Sequence, residues 1–331
     1  MPGMARVPLN PSSPFMRHPL KPHQLLERVT PTEDTIVLCH FGIPRMASAD
    51  WSLSIDGLVD RPLRLSLDDL KSKPLTRITS VHECCGSPLK PNEPTRRVCN
   101  VVWGGARLSD LLDDCGVRSN ARFVWARGAD YGVFGDVECN AFIKDLPLER
   151  VAADVLIAYE MNGVMLRPEN GFPARLVVPG YYGTNSVKWL VSLTLAGQRA
   201  DSPFMTRWYV NRVRENSGKI TSETPVWSIA PESLIVSPAP DSTLTTGQDT
   251  EIWGWAWSDS PLAAVEVSAD DLSEWTEAML EPASGRSWRR FATTWRPGVR
   301  TLRSRATSID GEQQLISDAR NAIYGVSVNV T

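Results

Sequence analysis

Hydrophobic and polar side chains alternate with a period of two at Trp51, Leu53 and Ile55 of this 331-residue chain. This alternation predicts a strand, followed by a turn at Asp56-Gly57 and a second strand. The segment TRITSVHEC predicts another strand, and RFVWARGADYG and ARLVVPG predict buried strands. The pattern therefore indicates several strands in the first part of the chain.

Two short segments show helical signals. Ser66 and Asp69 are three residues apart, which is close to a capping box and predicts the start of a short helix. The segment RLSDLLDDCG predicts a second helix, with Ser109 near its start and Gly116 as its stop. Because there is no regular βαβ rhythm and no G-x-G-x-x-G motif, we expect a mixed α+β domain.

The pattern changes after about residue 200, where short strands are separated by Gly, Pro, Asp and Ser turns. This arrangement is typical of an all-β sandwich. Alternation places Trp253, Trp255 and Trp257 on one face of a strand, and we expect this row to form the core of the sandwich, not a ligand cage. In TLRSRATSIDG, alternation places Arg303 and Arg305 on one face of a strand and Leu302 on the other.

The length of the chain allows two domains. We predict an irregular N-terminal arm at residues 1–30, a mixed α+β domain at 31–210 and an all-β sandwich at 211–331. The net charge of −3 and pI of about 5.9 give no electrostatic footprint for nucleic acid or an anionic membrane. No apolar run approaches the ~18 residues of a membrane helix. The N-terminus has no secretory h-region, so we expect a cytoplasmic protein, or a periplasmic one if a leader was removed.

Two of the six cysteines, Cys84 and Cys85, are adjacent in the segment SVHECCGSPLK. A disulfide between them is disfavoured, because neighbouring Cα atoms are ~3.8 Å apart and bridges need roughly 4.4 Å or more. On an extended segment the two side chains point to opposite faces. One thiolate could therefore face a pocket while the other packs, or both could be buried and inert.

Three segments carry a family likeness in the same order: HECCGS, WGGARLSDLL and LPLERVAADVLIAYEMNGVMLRPENGFPARLVVPGYYGTNSVKWL. Together with WGWAWSD and RATSIDG near the C-terminus, they resemble the sulfite oxidase family of molybdopterin enzymes over roughly residues 36 to 325. The resemblance implies that residues 31–210 form a molybdopterin-binding catalytic domain. It also implies that residues 211–331 form an immunoglobulin-like dimerisation domain, and hence a homodimer.

The resemblance implies a cofactor of molybdenum held by a single pterin. Because the sequence has no C-x-x-C-H haem-attachment motif, we expect no haem in this chain. Cys84, in a C-x-G motif, is the implied metal ligand at the catalytic centre, and thiolate is a soft ligand suited to such a metal. The implied cofactor-binding residues are Leu38, Cys39, His40, Asp130, Asn170, Arg175, Ser186, Val187 and Lys188. The alternatives are a core histidine at 40, a turn former at 130 and surface ion pairs at 175 and 188.

The chain departs from the family on the substrate side. Leu38, Leu89 and Asn185 occupy positions where arginines are expected, Phe142 replaces a tyrosine, and Asn170 replaces a histidine. Each lost charge-assisted donor weakens anion recognition by ~1.5–3 kcal/mol. The pocket is therefore expected to be drier and less cationic than a sulfite pocket.

Replacement cations are available in a shortened loop, namely Lys90, Arg96 and Arg97, although a solvated basic turn is the alternative. His82 and Glu83 are possible outer-shell groups beside Cys84, or ordinary polar strand residues. The resemblance implies oxygen-atom transfer with a small, sulfite-like sulfur compound and electron transfer to a separate cytochrome or to oxygen. The alternatives are a dehydrogenase or reductase of a less charged, non-sulfite substrate, and a non-enzymatic scaffold.

Overall fold

The computed structural model describes residues 6–87, 96–152, 154–215, 217–269, 274–298, 301–316 and 320–331. The chain forms two compact units, each assembled from three segments. The first unit holds residues up to Arg17, Val37–Ile78 and Val102–Trp227, and the second holds His18–Ile36, Thr79–Val101 and Ser228–Thr331. The domain boundaries predicted at residues 30 and 210 divide the chain into consecutive segments, whereas each observed unit combines three separate segments. The predicted boundaries stay predictions.

Helices are few and short. The α-helices are α1 (Leu67–Lys71), α2 (Leu108–Cys115) and α3 (Pro203–Thr206). The 3₁₀ turns are Pro22–Gln24, Thr32–Asp34, Ser48–Asp50, Leu148–Ala152, Pro168–Asn170 and Gly183–Asn185. In the described part of the chain, no helix has the length and apolar character needed to cross a membrane.

Strands account for most of the regular structure. In chain order they are β1 (Phe15–Arg17), β2 (Val37–Cys39), β3 (Leu53–Gly57), β4 (Leu63–Leu65), β5 (Thr76–Glu83), β6 (Val98–Arg107), β7 (Phe123–Gly128), β8 (Gly132–Phe134), β9 (Val137–Cys139), β10 (Ile143–Pro147), β11 (Leu156–Met161), β12 (Val164–Met165), β13 (Arg175–Val177), β14 (Leu190–Ala196), β15 (Val210–Arg214), β16 (Ile220–Pro225), β17 (Glu232–Ser237), β18 (Thr243–Leu244), β19 (Thr250–Trp257), β20 (Leu262–Ala269), β21 (Thr276–Glu277), β22 (Met279–Leu280), β23 (Arg289–Trp295), β24 (Thr301–Ser308), β25 (Gly325–Ser327) and β26 (Asn329–Val330).

The first unit is built on a five-stranded sheet in the order β10-β7-β14-β3-β4, in which only the β14–β3 pair is parallel. A second sheet has the order β12-β11-β6-β5, with β13 also paired to β11. Strands β5 and β6 each continue from one unit into the other. Buried residues of the first sheet and of α2 share one apolar core, including Ile55, Val124, Leu193 and Leu111.

The helix signals in the sequence are largely confirmed. Ser66 Oγ accepts the Asp69 N–H at 3.1 Å and the Asp69 carboxylate accepts the Ser66 N–H at 2.9 Å, which completes the capping box of α1. Helix α2 ends at Gly116, whose φ of 68° gives the left-handed C-cap. Ser109 is the second residue of this helix, as predicted, and Arg107 is the N-cap residue.

The turn predicted at Asp56-Gly57 lies later in the chain. Asp56 and Gly57 still pair with Thr194 and Leu195 of β14, so β3 continues to Gly57. Trp51 precedes β3 and is buried in the same core. The N-terminal arm is also less irregular than predicted, since β1 pairs with β2.

The second unit contains two four-stranded sheets, β17-β19-β23-β22 and β21-β20-β24-β25. Their facing residues form one core, which includes Ile252 and Phe291 from the first of these sheets and Val265, Leu302 and Ala306 from the other. The predicted sandwich, following a mixed α+β domain, is therefore confirmed. Its immunoglobulin-like character and its role in dimerisation stay predictions.

The prediction that the tryptophan row forms the sandwich core is wrong. Ile252 and Ala256 of β19 face that core, so Trp253, Trp255 and Trp257 lie on the opposite face of the same strand. Gly254 lies between Trp253 and Trp255, and only glycine fits there, because a Cβ at this position would lie 1.9 Å from the carbonyl oxygen of Leu234.

The tryptophan face is covered by the other segments of the second unit. Trp255 Nε1 donates to the carbonyl oxygen of Leu25 at 2.7 Å, and its ring stacks on Trp288 with 5.0 Å between centroids. Trp257 Nε1 donates to the Glu83 carboxylate at 2.8 Å. These contacts tie residues 18–36 and 79–101 to the sandwich.

Candidate active site

Cys84 directly follows β5 and opens a tight turn in the second unit. Its N–H donates to the carbonyl oxygen of Arg97 at 2.9 Å, and its carbonyl oxygen accepts the Ser87 N–H at 3.0 Å. The Arg97 N–H donates in turn to Ser87 Oγ at 2.7 Å. Arg320 Nε holds the Cys85 carbonyl oxygen at 2.7 Å. The backbone around the thiol is therefore fixed on several sides.

The two adjacent cysteines differ in exposure and in chemistry. Cys85 is 6% exposed, whereas Cys84 is partly exposed. The hydrogen bond from the Cys85 thiol, the Gly86 N–H and the Arg97 guanidinium together lower the pKa of the Cys84 thiol to about 6, against an opposing effect of burial. Cys84 is thus a thiolate at neutral pH, the form that binds a soft metal.

A fully buried charge cluster lies behind this turn. Arg96 Nε donates to Glu232 Oε1 at 3.0 Å, and neither side chain is exposed. Glu83 is also fully buried, and burial raises its pKa well above the usual value. Burial likewise raises the pKa of Glu232 to about 7.

This cluster corrects one sequence expectation. Arg96 is neither part of a solvated basic turn nor a substrate cation, because it is buried and paired with Glu232. Arg97, in contrast, is the cation beside the Cys84 thiol. Leu89 and Lys90 lie outside the described residues.

Lys188 organises the predicted cofactor residues of the first unit. Its Nζ donates to the carbonyl oxygens of Leu38 at 3.0 Å and Glu169 at 3.2 Å, and it lies 3.0 Å from Cys39 Sγ. The ammonium group also lies 4.4 Å from the ring centroid of Trp189. Burial lowers the pKa of Lys188.

Arg175 joins a second group of predicted residues. Its Nη1 donates to the Asn170 carbonyl oxygen at 3.0 Å and its Nη2 donates to the Ser186 carbonyl oxygen at 2.8 Å. The guanidinium lies 4.8 Å from the ring centroid of Trp103. Ser186 Oγ accepts a backbone N–H at 3.0 Å, and Val187 is buried in the core.

Acceptor groups are buried among these cations. Burial raises the pKa of Asp130 to about 7, although the Lys188 charge acts in the opposite direction. Asn170 Oδ1 and Asn185 Oδ1 are buried and have no hydrogen-bond partner among the residues that the structure describes. Asn185 Nδ2 is committed to the carbonyl oxygens of Tyr182 and Val226, each at 3.0 Å.

These donors and acceptors fit the molybdopterin that the family resemblance implies. Arg175 and Lys188 supply cationic donors for a phosphate, and Asp130 supplies an acceptor for pterin N–H groups. The buried amide oxygens of Asn170 and Asn185 are further acceptors awaiting a donor. A molybdopterin held by these side chains would supply redox chemistry that no amino-acid side chain offers.

His40 has neighbours that sequence reasoning missed. Its Nε2 is hydrogen-bonded to the hydroxyl of Tyr209, and its ring stacks on Phe142 with 5.1 Å between centroids. Burial, with the charges of Lys188 and Lys144, lowers the pKa of His40 to about 4. Tyr209 lies 169 residues from His40 in sequence, so no local pattern could link the two.

The predicted site residues are thus divided between the units. The first unit contains Leu38, Cys39, His40, Asp130, Phe142, Asn170, Arg175, Asn185, Ser186, Val187 and Lys188. Cys84 belongs to the second unit.

Known proteins resemble this chain over most of its length. A family model described as an oxidoreductase molybdopterin binding domain matches residues 40–204. The sulfite oxidase of Gallus gallus is 30% identical over 312 residues, covering 85% of this chain and 65% of the relative. An NADH nitrate reductase of Brassica napus is 29% identical over 306 residues, covering 80% of this chain and 33% of the relative.

A solved structure extends the likeness to the fold. The sulfane dehydrogenase SoxCD of Paracoccus pantotrophus matches with a TM-score of 0.78 and 28% identity, covering 93% of this chain and 85% of that one. The chain spans slightly under two thirds of the length of the Gallus gallus enzyme. The ordered motifs, the matched domain and the shared fold agree, and the chain belongs to the sulfite oxidase family of molybdopterin-dependent oxidoreductases.

Proposed function

We propose that this protein is a molybdenum-pterin oxidoreductase that transfers an oxygen atom to or from a small sulfur compound. The observation that carries the proposal is the match to sulfane dehydrogenase SoxCD over 93% of the chain at a TM-score of 0.78. Cys84 binds the molybdenum through its thiolate. Arg175 and Lys188 hold the phosphate of the cofactor, while His40 and Asp130 contact the pterin.

The substrate is less charged than sulfite and belongs to the sulfane class. Leu38 and Phe142 are apolar, and Phe142 packs against His40 with its ring 5.1 Å away. Asn185 cannot replace an arginine, since its amide nitrogen donates to two backbone carbonyl oxygens. A pocket with these residues recognises shape and polarisability more than a double negative charge.

The second candidate is reduction of an oxyanion by the reverse reaction, and the match to an NADH nitrate reductase favours it. Both reactions need the same thiolate ligand and the same pterin site. They differ in the direction of electron flow, so a substrate panel separates them.

The experiment measures molybdenum and turnover in the same preparations. The full chain is produced in a host that makes molybdopterin, its metal content is determined by mass spectrometry, and turnover is followed with a small organic persulfide, sulfite or nitrate and an artificial electron carrier. We expect stoichiometric molybdenum and the highest turnover with the persulfide, which carries at most one negative charge. Turnover with nitrate alone would support the second candidate.

Variants of the adjacent cysteines provide the control. Outer-shell changes cost 10–100-fold in metal affinity or activity, so loss of the ligand in Cys84→Ser should lower turnover by more than about 100-fold. Cys85→Ser should retain molybdenum. A Cys84→Ser protein with full metal content and turnover would refute the ligand assignment, and a parent protein without molybdenum would favour the scaffold.

The electron acceptor is separate from this chain in our proposal, and it is either a cytochrome or oxygen. The homodimer and the cytoplasmic or periplasmic location are part of the same proposal. Light scattering at micromolar concentration tests the dimer.

A further inference from the structure

His40 is enclosed by aromatic side chains of the first unit. Its ring centroid lies 4.9 Å from that of Phe134, 5.1 Å from that of Phe142 and 5.4 Å from that of Phe204. The Phe134 and Phe204 rings meet the imidazole edge-on, and Phe142 is stacked. Tyr209 adds the polar contact, because its hydroxyl is hydrogen-bonded to His40 Nε2.

A buried cation lies against the tyrosine of this pair. Lys144 is 1% exposed, and its Nζ lies 5.2 Å from the ring centroid of Tyr209. The same ammonium group donates to the Phe204 carbonyl oxygen at 3.1 Å, which fixes its position. A cation beside a phenol stabilises negative charge on its oxygen, so the hydroxyl becomes a stronger hydrogen-bond donor.

The backbone of Tyr209 adopts a conformation that disfavours a bulky residue. Its φ is 57°, in the left-handed region, where such a residue is uncommon and its backbone is strained. The Tyr209 carbonyl oxygen accepts the Val226 N–H at 2.9 Å, which holds this conformation. A tyrosine at a strained position points to a role for its side chain.

We propose that Tyr209 is a positioning residue that donates its hydroxyl hydrogen to His40 Nε2 and thereby fixes the neutral imidazole as the Nδ1–H tautomer. The hydrogen bond made by one ring nitrogen determines which nitrogen carries the proton. The consequence for the cofactor rests on the proposed function: Nδ1–H is then the donor that His40 offers to the pterin.

The charges around His40 keep it neutral. Among the described residues, Lys188 and Lys144 are the charged groups that act on it, Tyr209 is the titratable neighbour, and Phe41, Phe134, Phe142 and Phe204 supply the other ring contacts. Burial and the two ammonium groups lower the pKa of His40 to about 4. The imidazole therefore has one proton at neutral pH, and Tyr209 decides its location.

The test uses the full chain labelled with ¹⁵N-histidine. The protein has four histidines, so the long-range ¹H–¹⁵N spectrum is simple, and a His40→Asn variant assigns the resonances. We expect a protonated Nδ1 and an unprotonated Nε2 in the parent protein. In Tyr209→Phe the pKa of His40 should rise by about 1, because a hydrogen bond that stabilises the neutral ring is lost.

Tyr159→Phe is the matched control, since Tyr159 is buried in the core of the same unit, and it should leave the His40 resonances unchanged. A protonated Nε2 in the parent, or a His40 pKa that falls or stays the same in Tyr209→Phe, would overturn the proposal. If Tyr209→Phe does not fold, the proposal is decided by which ring nitrogen of His40 is protonated in the parent protein and in Lys144→Met. A protonated Nδ1 in both supports the proposal, and a protonated Nε2 overturns it.

The result is independent of the proposed activity. The spectrum is recorded with cofactor-free protein from a host that lacks molybdopterin and again with the loaded enzyme. A wrong tautomer with normal molybdenum content refutes only the role of Tyr209. The expected tautomer in a protein that never binds molybdenum refutes the proposed function and leaves the role of Tyr209 in orienting His40 intact.

Discussion

Arg96 in the second unit and Lys188 in the first are both buried cations, but their surroundings differ. Arg96 is fully buried and its Nε contacts the Glu232 carboxylate at 3.0 Å. Lys188 Nζ donates to the carbonyl oxygens of Leu38 and Glu169 at 3.0 and 3.2 Å. Within the described ranges, no carboxylate oxygen lies within 4.0 Å of the Lys188 ammonium group.

The difference separates a completed ion pair from a site that can accept an anion. A buried charge with a carboxylate partner is neutralised inside the protein, and removing one partner leaves the other uncompensated. Among the described residues, the groups that contact Lys188 Nζ directly are two carbonyl oxygens and the Cys39 sulfur, and the carboxyl group of Asp130 acts on it electrostatically. An incoming phosphate can therefore still supply a strong charge-assisted contact. We therefore propose that Arg96 serves the stability of the fold and that Lys188 serves binding of the cofactor.

The largest expected effect comes from breaking the completed pair. Arg96→Met leaves Glu232 buried without its cation, which should lower the free energy of unfolding by ~3–5 kcal/mol. Urea denaturation followed by fluorescence measures the change. Arg296→Met is the control, because the Arg296–Asp249 pair is exposed and should contribute ~1 kcal/mol or less. Equal effects of the two variants would refute the structural role of Arg96.

The next effect is a dependence of stability on pH that originates in the same cluster. Burial raises the pKa of Glu232 to about 7, above its ordinary value of 4.5. A carboxyl group with a raised pKa in the folded state stabilises the fold below its unfolded pKa, and this contribution is lost as the pH rises through about 7. We expect a loss of roughly 3 kcal/mol from Glu232 between pH 4.5 and 8.

Glu232→Gln should reduce this fall, since an amide does not titrate. Glu277→Gln, at an exposed position of β21, should leave the pH profile unchanged. The measurement is urea denaturation at a series of pH values. The assignment would be contradicted if the stability of the parent protein rose between pH 5 and pH 8. It would also be contradicted if both variants showed the same change in stability over this range.

The sequence predicted elements well where the signal was local. The capping box at Ser66 and Asp69 and the stop at Gly116 depend on neighbours within a few residues, and both are confirmed. The alternation of Arg303 and Arg305 with buried Leu302 and Ser304 is also confirmed, since one face of β24 is buried.

The sequence failed where the answer depends on which face of a strand meets which partner. Alternation placed Trp255 and Trp257 on one face correctly, but it could not show that Leu25 and Glu83 cover that face. The same limit hid the buried pair of Arg96 with Glu232, 136 residues apart. Periodicity identifies the two faces of a strand, and only tertiary packing decides which one meets the sandwich core.

Lys188→Met should have the smallest effect on stability, and it tests the difference between Lys188 and Arg96 most directly. In cofactor-free protein, Lys188→Met should change the free energy of unfolding by less than about 1 kcal/mol, because relief from burying a charge offsets the lost hydrogen bonds to carbonyl groups. In loaded protein, the loss of a charge-assisted phosphate contact of ~1.5–3 kcal/mol should weaken cofactor retention roughly 10–100-fold.

Urea denaturation of cofactor-free protein and molybdenum content after dialysis measure the two halves of this prediction. Lys73→Met is the matched control, since Lys73 pairs with Asp114 at the surface of the same unit at 2.6 Å. It should leave both quantities unchanged. A Lys188→Met protein that is several kcal/mol less stable but holds its cofactor normally would place Lys188 in the same class as Arg96. The contrast between a completed charge cluster and one prepared for an anion would then be lost, because both cations would serve the fold alone.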